Sequence, residues 1–408
     1  MTSVIYRYHQ LFYYTNGGIM LKSIAFIIVL SLFLGSFFKK IKIPPILAFL
    51  IVGIAMGPFA MNLIDKKILD ISSEIRTIAL VIILTRAGLS LDIDDLKKIG
   101  RPAVLMCFVP AVFEMCAVGF LAPIFLKVDV LDAFIIGSII AAVSPAVVVP
   151  RMIRLIEEGY GDEHKIPQLI LAGSSCDDVF CIVVFTSLTA LAQTGDINVF
   201  KFIAIPFSIV IGSVVGAGIG FLLVKFFKRF HMRDTVKVLI VLSISFLLLE
   251  LEKITPIPFS GLIAIMAMSM VVKKIYEDLA ERLSEKYNKL WVGAEIFLFV
   301  LVGATVNVKY AINSGIMVVV LVICALIFRM VGVYASVLKT KLTPKERLFC
   351  MIAYTPKATV QAAIGAIPLS MGLKVGDMAL TVAVISILIT APFGAIMVDN
   401  LYKKLLER

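Results

Sequence analysis

The sequence predicts an all-α protein that crosses a membrane many times. Of its 408 residues, 60% are hydrophobic and only 16% are charged, which is far from the composition of a soluble domain. Long apolar runs alternate with short polar joints, and about thirteen of these runs are long enough to span a bilayer. Two of the runs carry a proline-containing motif at matching places. No soluble-enzyme motif is visible, so we expect neither an enzyme nor a cofactor.

The apolar runs define the expected spans. Their approximate limits are 21–38, 44–61, 73–91, 102–126, 132–151, 166–193, 199–226, 234–251, 256–273, 289–308, 313–338, 348–371 and 376–400. Residues 1–20 are polar and aromatic, which predicts an N-terminal leader, with Met20 as an alternative start. We therefore expect one membrane domain over residues 21–400 and a cytoplasmic tail over residues 401–408.

The basic residues predict the orientation in the membrane. Most of the 39 lysines and arginines fall in the joints after odd-numbered spans and in the C-terminal segment. Because cytoplasmic joints carry the excess of positive charge, the N-terminus is expected outside and the C-terminus in the cytoplasm. The net charge of +11 is then a topology signal and gives no reason to expect a nucleic-acid partner. We expect an integral, multi-pass protein of a bacterial-type plasma (inner) membrane, surrounded by the lipid bilayer.

Two adjacent acids, Asp177 and Asp178, lie inside the apolar run 166–193. An acid at membrane depth costs several kcal/mol, so such residues usually mark the path of an ion or a proton. Neighbouring residues on a helix point about 100° apart. Only one of the two can therefore face an ion cavity squarely, and we expect Asp178 in that role.

Two spans carry similar proline motifs, SPAVVVP at residues 144–150 and TPKATVQ at residues 355–361. The motifs are seven spans apart, and an odd offset places the two copies upside-down relative to one another in the membrane. Inverted repeats with a broken helix in each half are typical of secondary transporters. The repeats would cover about 21–193 and 234–400.

The helix breaks are expected at the prolines, because proline removes a backbone hydrogen bond and clashes with the preceding turn. The residues assigned to the breaks are Pro145, Pro150, Thr355 and Pro356. Carbonyl groups exposed at such breaks, together with the Ser144 hydroxyl, suit a small cation.

Three further charges lie within predicted spans and need partners. We expect Glu114 and Arg329 to form a buried ion pair, since either charge alone would be very costly. A competing arrangement has Arg329 contacting Asp177, with Glu114 protonated. Lys357 either neutralises the negative end of a half-helix or pairs with an acid.

The segments AVSPAVVVPRM, AGSSCDDVF and YTPKATVQAAIGA, in this order, resemble the cation:proton antiporter superfamily. They are most similar to its sodium/proton exchanger branch of the NHA type, as is the segment ILTRAGLSLD. The resemblance implies the NhaA-type fold, a homodimer whose core domains move like elevators against dimerisation domains. The implied activity is exchange of Na⁺ or Li⁺ for protons.

The resemblance also implies roles for individual residues. Asp178 matches the acid that binds Na⁺, Li⁺ or the proton, and Asp177 matches its neighbour. The backbone carbonyls of Val143 and Ser174 correspond to cation ligands. Position 329 is lysine in many relatives with two acids, but arginine here, and arginine does not release its proton.

Three other functions remain to be compared. A K⁺/H⁺ antiporter or K⁺ efflux protein would share the fold. Organic-anion symporters of the bile-acid type lack paired acids beside a TPK break. An intramembrane aspartyl protease needs its two acids on separate helices, because adjacent acids on one helix cannot share one water and one proton.

Overall fold

A computed structural model describes residues 2–41, 43–90, 100–194, 199–255 and 259–408, and these residues form helices and connecting segments without strands. The first half of the chain contributes nine helices to the described part: α1 Thr2–Lys40, α2 Pro45–Met56, α3 Lys66–Asp70, α4 Ser72–Ser90, α5 Arg101–Met106, α6 Val109–Leu126, α7 Val130–Ile140, α8 Pro145–Glu158 and α9 Ile166–Thr194.

The second half contributes nine more within the same described ranges. They are α10 Val199–Arg229, α11 Asp234–Ile254, α12 Gly261–Ile275, α13 Glu277–Thr305, α14 Val308–Ser336, α15 Pro344–Ala353, α16 Thr359–Ile364, α17 Ile367–Ser370 and α18 Gly376–Leu405.

Within the described residues, eight helical segments are long and apolar enough to cross a bilayer. They lie at Met20–Lys40, Arg101–Leu126, Val130–Glu158, Ile166–Gln193, Val210–Arg229, Glu277–Thr305, Gly315–Ser336 and Gly376–Leu405. Two shorter apolar segments accompany them, Pro45–Met56 and Thr359–Ser370. The chain is therefore an integral, multi-pass membrane protein, and the total of about thirteen spans stays a prediction. The predicted spans 73–91 and 256–273 each end or begin on residues outside the described ranges.

Three segment limits differ from those expected. Helix α1 begins at Thr2, so the expected leader continues into the first apolar helix. Helix α13 begins at Glu277 rather than near 289, because Leu279, Leu283 and Tyr287 bury one face of the charged stretch. Helix α18 runs to Leu405, beyond the expected start of the tail.

Helices α10 and α12 cross with their backbones in contact. A Cβ atom added at Gly212 would lie 2.7 Å from the Ser260 carbonyl oxygen, and one at Gly216 would collide with the Ala264 carbonyl. Gly218, on the other face of α10, has nothing within 4 Å of such an atom. Small residues at the crossing thus let the two helices approach closely, as is common in membrane proteins.

The segments expected to break are interrupted in the structure. Helix α7 ends at Ile140 and α8 begins at Pro145, while α15 ends at Ala353 and α16 begins at Thr359. Proline at the first position of α8 is favourable, because its fixed φ suits the first turn and no backbone donor is needed there. Pro150 was expected at the break, but it lies inside α8 and is exposed. The break therefore precedes Pro145, and Pro150 takes no part in it.

Candidate functional site

The two interrupted segments meet at their breaks. The backbone N–H of Ser144 donates to the carbonyl oxygen of Pro356 at 2.8 Å, which joins one break directly to the other. Ser144 and Thr355 are both fully buried. Four half-helix ends therefore converge here, namely the carbonyl ends of α7 and α15 and the N–H ends of α8 and α16.

The carbonyl end of α7 is capped by an amide from the other break. Gln361 is fully buried, and its Nε2 donates to the carbonyl oxygens of Ala142 at 2.8 Å and Ile139 at 3.2 Å. Its Oε1 is buried and has no hydrogen-bond partner in the described part of the chain. Gln361 thus ties α16 to the end of α7 and satisfies carbonyls that the broken helix leaves free.

Arg329, on α14, is fully buried. It contacts Glu114, Asp177 and one backbone carbonyl at each break. Its Nη1 lies 3.0 Å from Oε2 of Glu114, and its Nη2 lies 2.7 Å from Oδ2 of Asp177. Its Nε donates to the Tyr354 carbonyl at 2.7 Å, and its Nη1 also donates to the Ala141 carbonyl. Arg329 therefore makes the contacts of both arrangements considered from the sequence, since one guanidinium reaches Glu114 and Asp177.

Lys357, in the second break, lies beside the same glutamate. Its Nζ is 2.5 Å from Oε2 of Glu114, and its backbone N–H donates to Oγ1 of Thr390 at 2.9 Å. The side chain is only 1% exposed, so it does not reach the membrane surface. Two cations and two acids therefore form one buried cluster, which we call the charge cluster: Glu114, Asp177, Arg329 and Lys357.

The two adjacent acids lie in different surroundings. Oδ2 of Asp177 accepts from Arg329 and from the backbone N–H of Val143 at 2.8 Å. Asp178 is 7% exposed, and its Oδ1 has no hydrogen-bond partner among the residues that the structure describes. The charge cluster is balanced without Asp178 when its four members are ionised. Asp178 is thus an additional acid that forms no ion pair among the described residues.

Several buried oxygens around the breaks lack a hydrogen-bond partner within the described ranges. They are Asp177 Oδ1, Asp178 Oδ1, Ser144 Oγ, Thr359 Oγ1 and Gln361 Oε1. Most buried polar atoms in proteins are paired, so such a group needs an explanation. Carboxylate and hydroxyl oxygens are the ligands that hard cations prefer. The unpaired oxygens of Asp178 and Ser144 are therefore of the kind that a small cation prefers.

The other residues selected from the sequence lie close by in the chain or the fold. Ser174 is fully buried one turn before Asp178, and its hydroxyl donates to the Leu171 carbonyl at 3.1 Å. The Thr355 hydroxyl donates to the Ile352 carbonyl at 2.8 Å. The Ser174 hydroxyl is thus satisfied within its own helix, and the Thr355 hydroxyl by the end of the helix that precedes it. Val143 and Pro145 are the chain neighbours of Ser144, and Val143 is fully buried.

One contact was not expected from the sequence. His164, in the loop before α9, lies with Nδ1 3.0 Å from Oε1 of Glu346 at the start of α15. The pattern TPKE at residues 343–346 is a capping-box signature and predicts the start of α15. No local pattern, however, brings it to a histidine 182 positions away.

The chain is similar to known exchangers along most of its length. The family described as "Sodium/hydrogen exchanger, transmembrane" matches residues 26–404. Sodium/hydrogen exchanger 9B2 of Mus musculus is 32% identical over 382 residues, covering 90% of this chain and 69% of the mouse protein. The Homo sapiens protein of the same name is 33% identical over 351 residues, covering 83% of this chain and 65% of the human protein. The chain thus spans about two thirds of the length of these relatives.

A solved structure has the same fold. The sodium proton antiporter MjNhaP1 from Methanocaldococcus jannaschii at pH 8 superposes with a TM-score of 0.82 and 21% sequence identity, covering 96% of this chain and 100% of that chain. This similarity concerns the fold, whereas the sequence matches concern the family. Together with the interrupted helices and the buried acids, they assign the chain: it belongs to the sodium/hydrogen exchanger family.

Proposed function

We propose that this chain is a secondary active antiporter that exchanges Na⁺ for protons across the membrane, with Asp178 as the shared binding group. The observation that carries the proposal is the contrast between the adjacent acids. Oδ2 of Asp177 is held by Arg329 and Val143, whereas within the described ranges no ion pair joins Asp178 to a basic side chain. An acid that is not already neutralised by a basic side chain is free to bind either a cation or a proton.

Competition for one carboxylate is sufficient for exchange. Burial removes water from Asp178 and so disfavours its charged form unless a proton or a cation neutralises it. A bare carboxylate would make the crossing of the membrane costly. The site therefore crosses with one ligand or the other, and the cation moves in exchange for protons.

The charge cluster acts as a scaffold in this mechanism. Arg329 keeps its proton in any ordinary pH range, so it is not a proton carrier. It bonds the carbonyls of Ala141 and Tyr354, one from each break, as well as Glu114 and Asp177. We infer that it fixes the two breaks relative to Asp178 and compensates the negative ends of α7 and α15.

The ligands proposed for the cation follow from the same geometry. Asp178 supplies a carboxylate oxygen and Ser144 a hydroxyl oxygen, with the backbone carbonyls of Val143 and Ser174 as further candidates. Oxygen ligands suit a hard cation such as Na⁺ or Li⁺. The names of the relatives support sodium and give the potassium alternative no support.

Transport is proposed to run by alternating access. The similarity to an antiporter fold supports an elevator-type movement. In it, a core domain that contains both breaks moves against a dimerisation domain, which mediates a homodimer. The cytoplasmic C-terminus, the external N-terminus and the bacterial-type plasma membrane are part of this proposal, supported by the distribution of basic residues.

Dye-monitored proton flux in proteoliposomes tests the proposal, with Na⁺, Li⁺ and K⁺ added in turn. The intact protein is expected to move protons in response to Na⁺ or Li⁺, and Asp178→Asn is expected to abolish the response. Asp70→Asn, which removes an exposed acid near the start of α4, is the matched control and should behave as the parent. Proton flux with K⁺ alone would favour the potassium alternative. Full exchange in Asp178→Asn would refute the assignment.

A further inference from the structure

The inference concerns the contact between His164 and Glu346, at the face of the protein where α9 and α15 begin. His164 lies two residues before Ile166, the first residue of α9, and Glu346 is the third residue of α15. Helix α9 carries Asp177 and Asp178, and α15 leads into the second break. The pair therefore connects the starts of two helices that build the candidate site.

The geometry of the pair is that of a charge-assisted hydrogen bond. The two side chains are 3.0 Å apart, with His164 20% exposed and Glu346 6% exposed. Glu346 is fixed independently of His164, because its Oε2 accepts from the Thr343 backbone N–H at 2.7 Å in a capping box. One carboxylate oxygen thus holds the helix start while the other faces the imidazole.

The C-terminal end and the segment before α15 lie beside the pair. The backbone N–H of Gly161 donates to the Glu407 carbonyl at 2.7 Å, so the C-terminal end packs beside the same loop. The other charged groups acting on His164 are Glu163 in its own loop and Lys341 in the segment before α15. Glu163 favours the protonated imidazole and Lys341 opposes it.

We propose that His164 and Glu346 form a pH-sensitive latch, which clips the starts of α9 and α15 together when His164 is protonated and releases them as the pH on that face rises. In the orientation predicted by the basic residues this face is cytoplasmic, so the latch reads cytoplasmic pH. The inference rests on the proposed function, since it regulates exchange at Asp178. Release frees the starts of α9 and α15 from one another at this face, and we expect this to raise the maximal rate of exchange.

The titration of both groups supports the latch. The hydrogen bond to Glu346 raises the pKa of His164 above its ordinary value of 6.5, although burial opposes this shift. Burial raises the pKa of Glu346, but the hydrogen bonds from His164 and Thr343 outweigh it and leave this pKa below its ordinary value of 4.5. The charged pair is therefore present below pH 6.5 and is lost as the pH rises through the raised pKa of His164.

NMR of the full chain with isotope-labelled histidine measures the pair directly, because the chain has only 3 histidines. His164→Gln assigns the His164 resonance in the NMR spectrum. In Glu346→Gln the titration midpoint of His164 is expected to fall. This variant is conservative, because glutamine also completes a capping box. An unchanged midpoint would overturn the pairing.

The transport test separates the latch from competition at Asp178. Competition between H⁺ and Na⁺ alters the apparent KM, whereas the latch alters the maximal rate at saturating Na⁺. We expect the parent's maximal rate to rise as the pH on this face passes the His164 midpoint. In His164→Gln and Glu346→Gln the acidic-pH rate should already equal the alkaline one, roughly two- to fivefold above the parent, as suits a partly exposed ion pair.

The double variant should add nothing further, because both substitutions remove the same contact. His231→Gln, which changes an exposed histidine in the loop before α11, should follow the parent. If His164→Gln exchanges ions with the same pH profile as the parent, the latch is contradicted but the proposed function is not. The absence of cation-driven proton flux in the parent would contradict the proposed function, while the NMR midpoint would still report on the pair.

Discussion

Nη2 of Arg329 lies 2.7 Å from Oδ2 of Asp177, so the first of the two adjacent acids is already neutralised by a buried guanidinium. The next residue, Asp178, is left as the acid available to a mobile ion. One charge is then exchanged for another at a single carboxylate. This relationship determines the stoichiometry and the mutational behaviour that we expect.

Exchange is expected to be electroneutral, with one proton per cation. In the proposed mechanism Asp177 stays paired with Arg329, so only Asp178 would bind and release a proton in the cycle. The rate in proteoliposomes should therefore be independent of an imposed membrane potential. A rate that changes with voltage in the direction of net charge movement would mean that a second group carries a proton.

Removing one member of the charge cluster should destabilise the protein strongly. Arg329→Met leaves Glu114 and Asp177 with Lys357 as their remaining basic partner in the cluster. Breaking a buried ion pair in this way costs about 3–5 kcal/mol. Thermal unfolding in detergent, monitored by size-exclusion chromatography, should give Arg329→Met a lower Tm than Arg347→Met. Arg347 lies outside the cluster. Equal Tm values would show that the cluster does not hold the breaks together.

Much of this cluster could be predicted from the sequence, because a charge inside an apolar run needs a partner. That argument selected Glu114, Arg329 and Lys357, while the proline motifs placed the breaks near Ser144 and Thr355. It did not determine which partners meet, since Lys357 and Glu114 are 243 positions apart and are brought together by the crossing of the breaks. The position of the first break relative to Pro150 was also wrong, because a proline inside a membrane helix need not interrupt it.

Other features required the three-dimensional structure for a different reason. The spacing of Leu279, Leu283 and Tyr287 is that of one helix face and agrees with a helix that begins at Glu277. The many charged residues between them made this segment read as a joint between spans. The contact of His164 with Glu346 joins two polar joints whose separation in the chain carries no periodic signal. Local patterns predict helices, whereas contacts between joints depend on the complete packing.

The amide of Gln361 should be needed to present the first break correctly. Gln361→Leu keeps a similar size but removes the donor to the carbonyls of Ala142 and Ile139. Leaving buried acceptors unpaired costs about 1–3 kcal/mol. For Gln361→Leu we expect a raised KM for Na⁺ and a reduced Tm. Gln361→Asn keeps an amide, but its side chain is one methylene shorter, so its KM and Tm should only partly return to the parent values. An unchanged KM and Tm would contradict the capping role.

Two glycines on α10 should respond oppositely to alanine. Gly216→Ala places a methyl group against the Ala264 carbonyl and should lower the free energy of unfolding by about 1–3 kcal/mol. Gly218→Ala has open space around it and should raise stability by about 0.5–1 kcal/mol through the helix preference of alanine. Thermal unfolding of both variants in the same detergent measures the difference. A shift in the same direction for both would show that α10 does not pack on α12 as described.

The latch predicts a pH-dependent difference in stability. Because the pKa of His164 is raised, its ion pair stabilises the folded state below pH 6.5, and this contribution is lost as the pH rises through the raised pKa. The Tm of the parent should therefore exceed that of His164→Gln at pH 6, and the two should converge at pH 9. A difference in Tm that stays the same from pH 6 to pH 9 would contradict the ion pair and indicate that His164 acts through packing.

The central claim is that Asp178 binds H⁺ or Na⁺, and never both at once. Isothermal titration calorimetry of the purified protein with Na⁺, in buffers of different ionisation enthalpy, measures the protons released as the cation binds. The account predicts close to one proton released per Na⁺ at acidic pH, fewer as the pH rises, and no specific Na⁺ binding to Asp178→Asn. Na⁺ binding without proton release at acidic pH, or undiminished binding to Asp178→Asn, would contradict it.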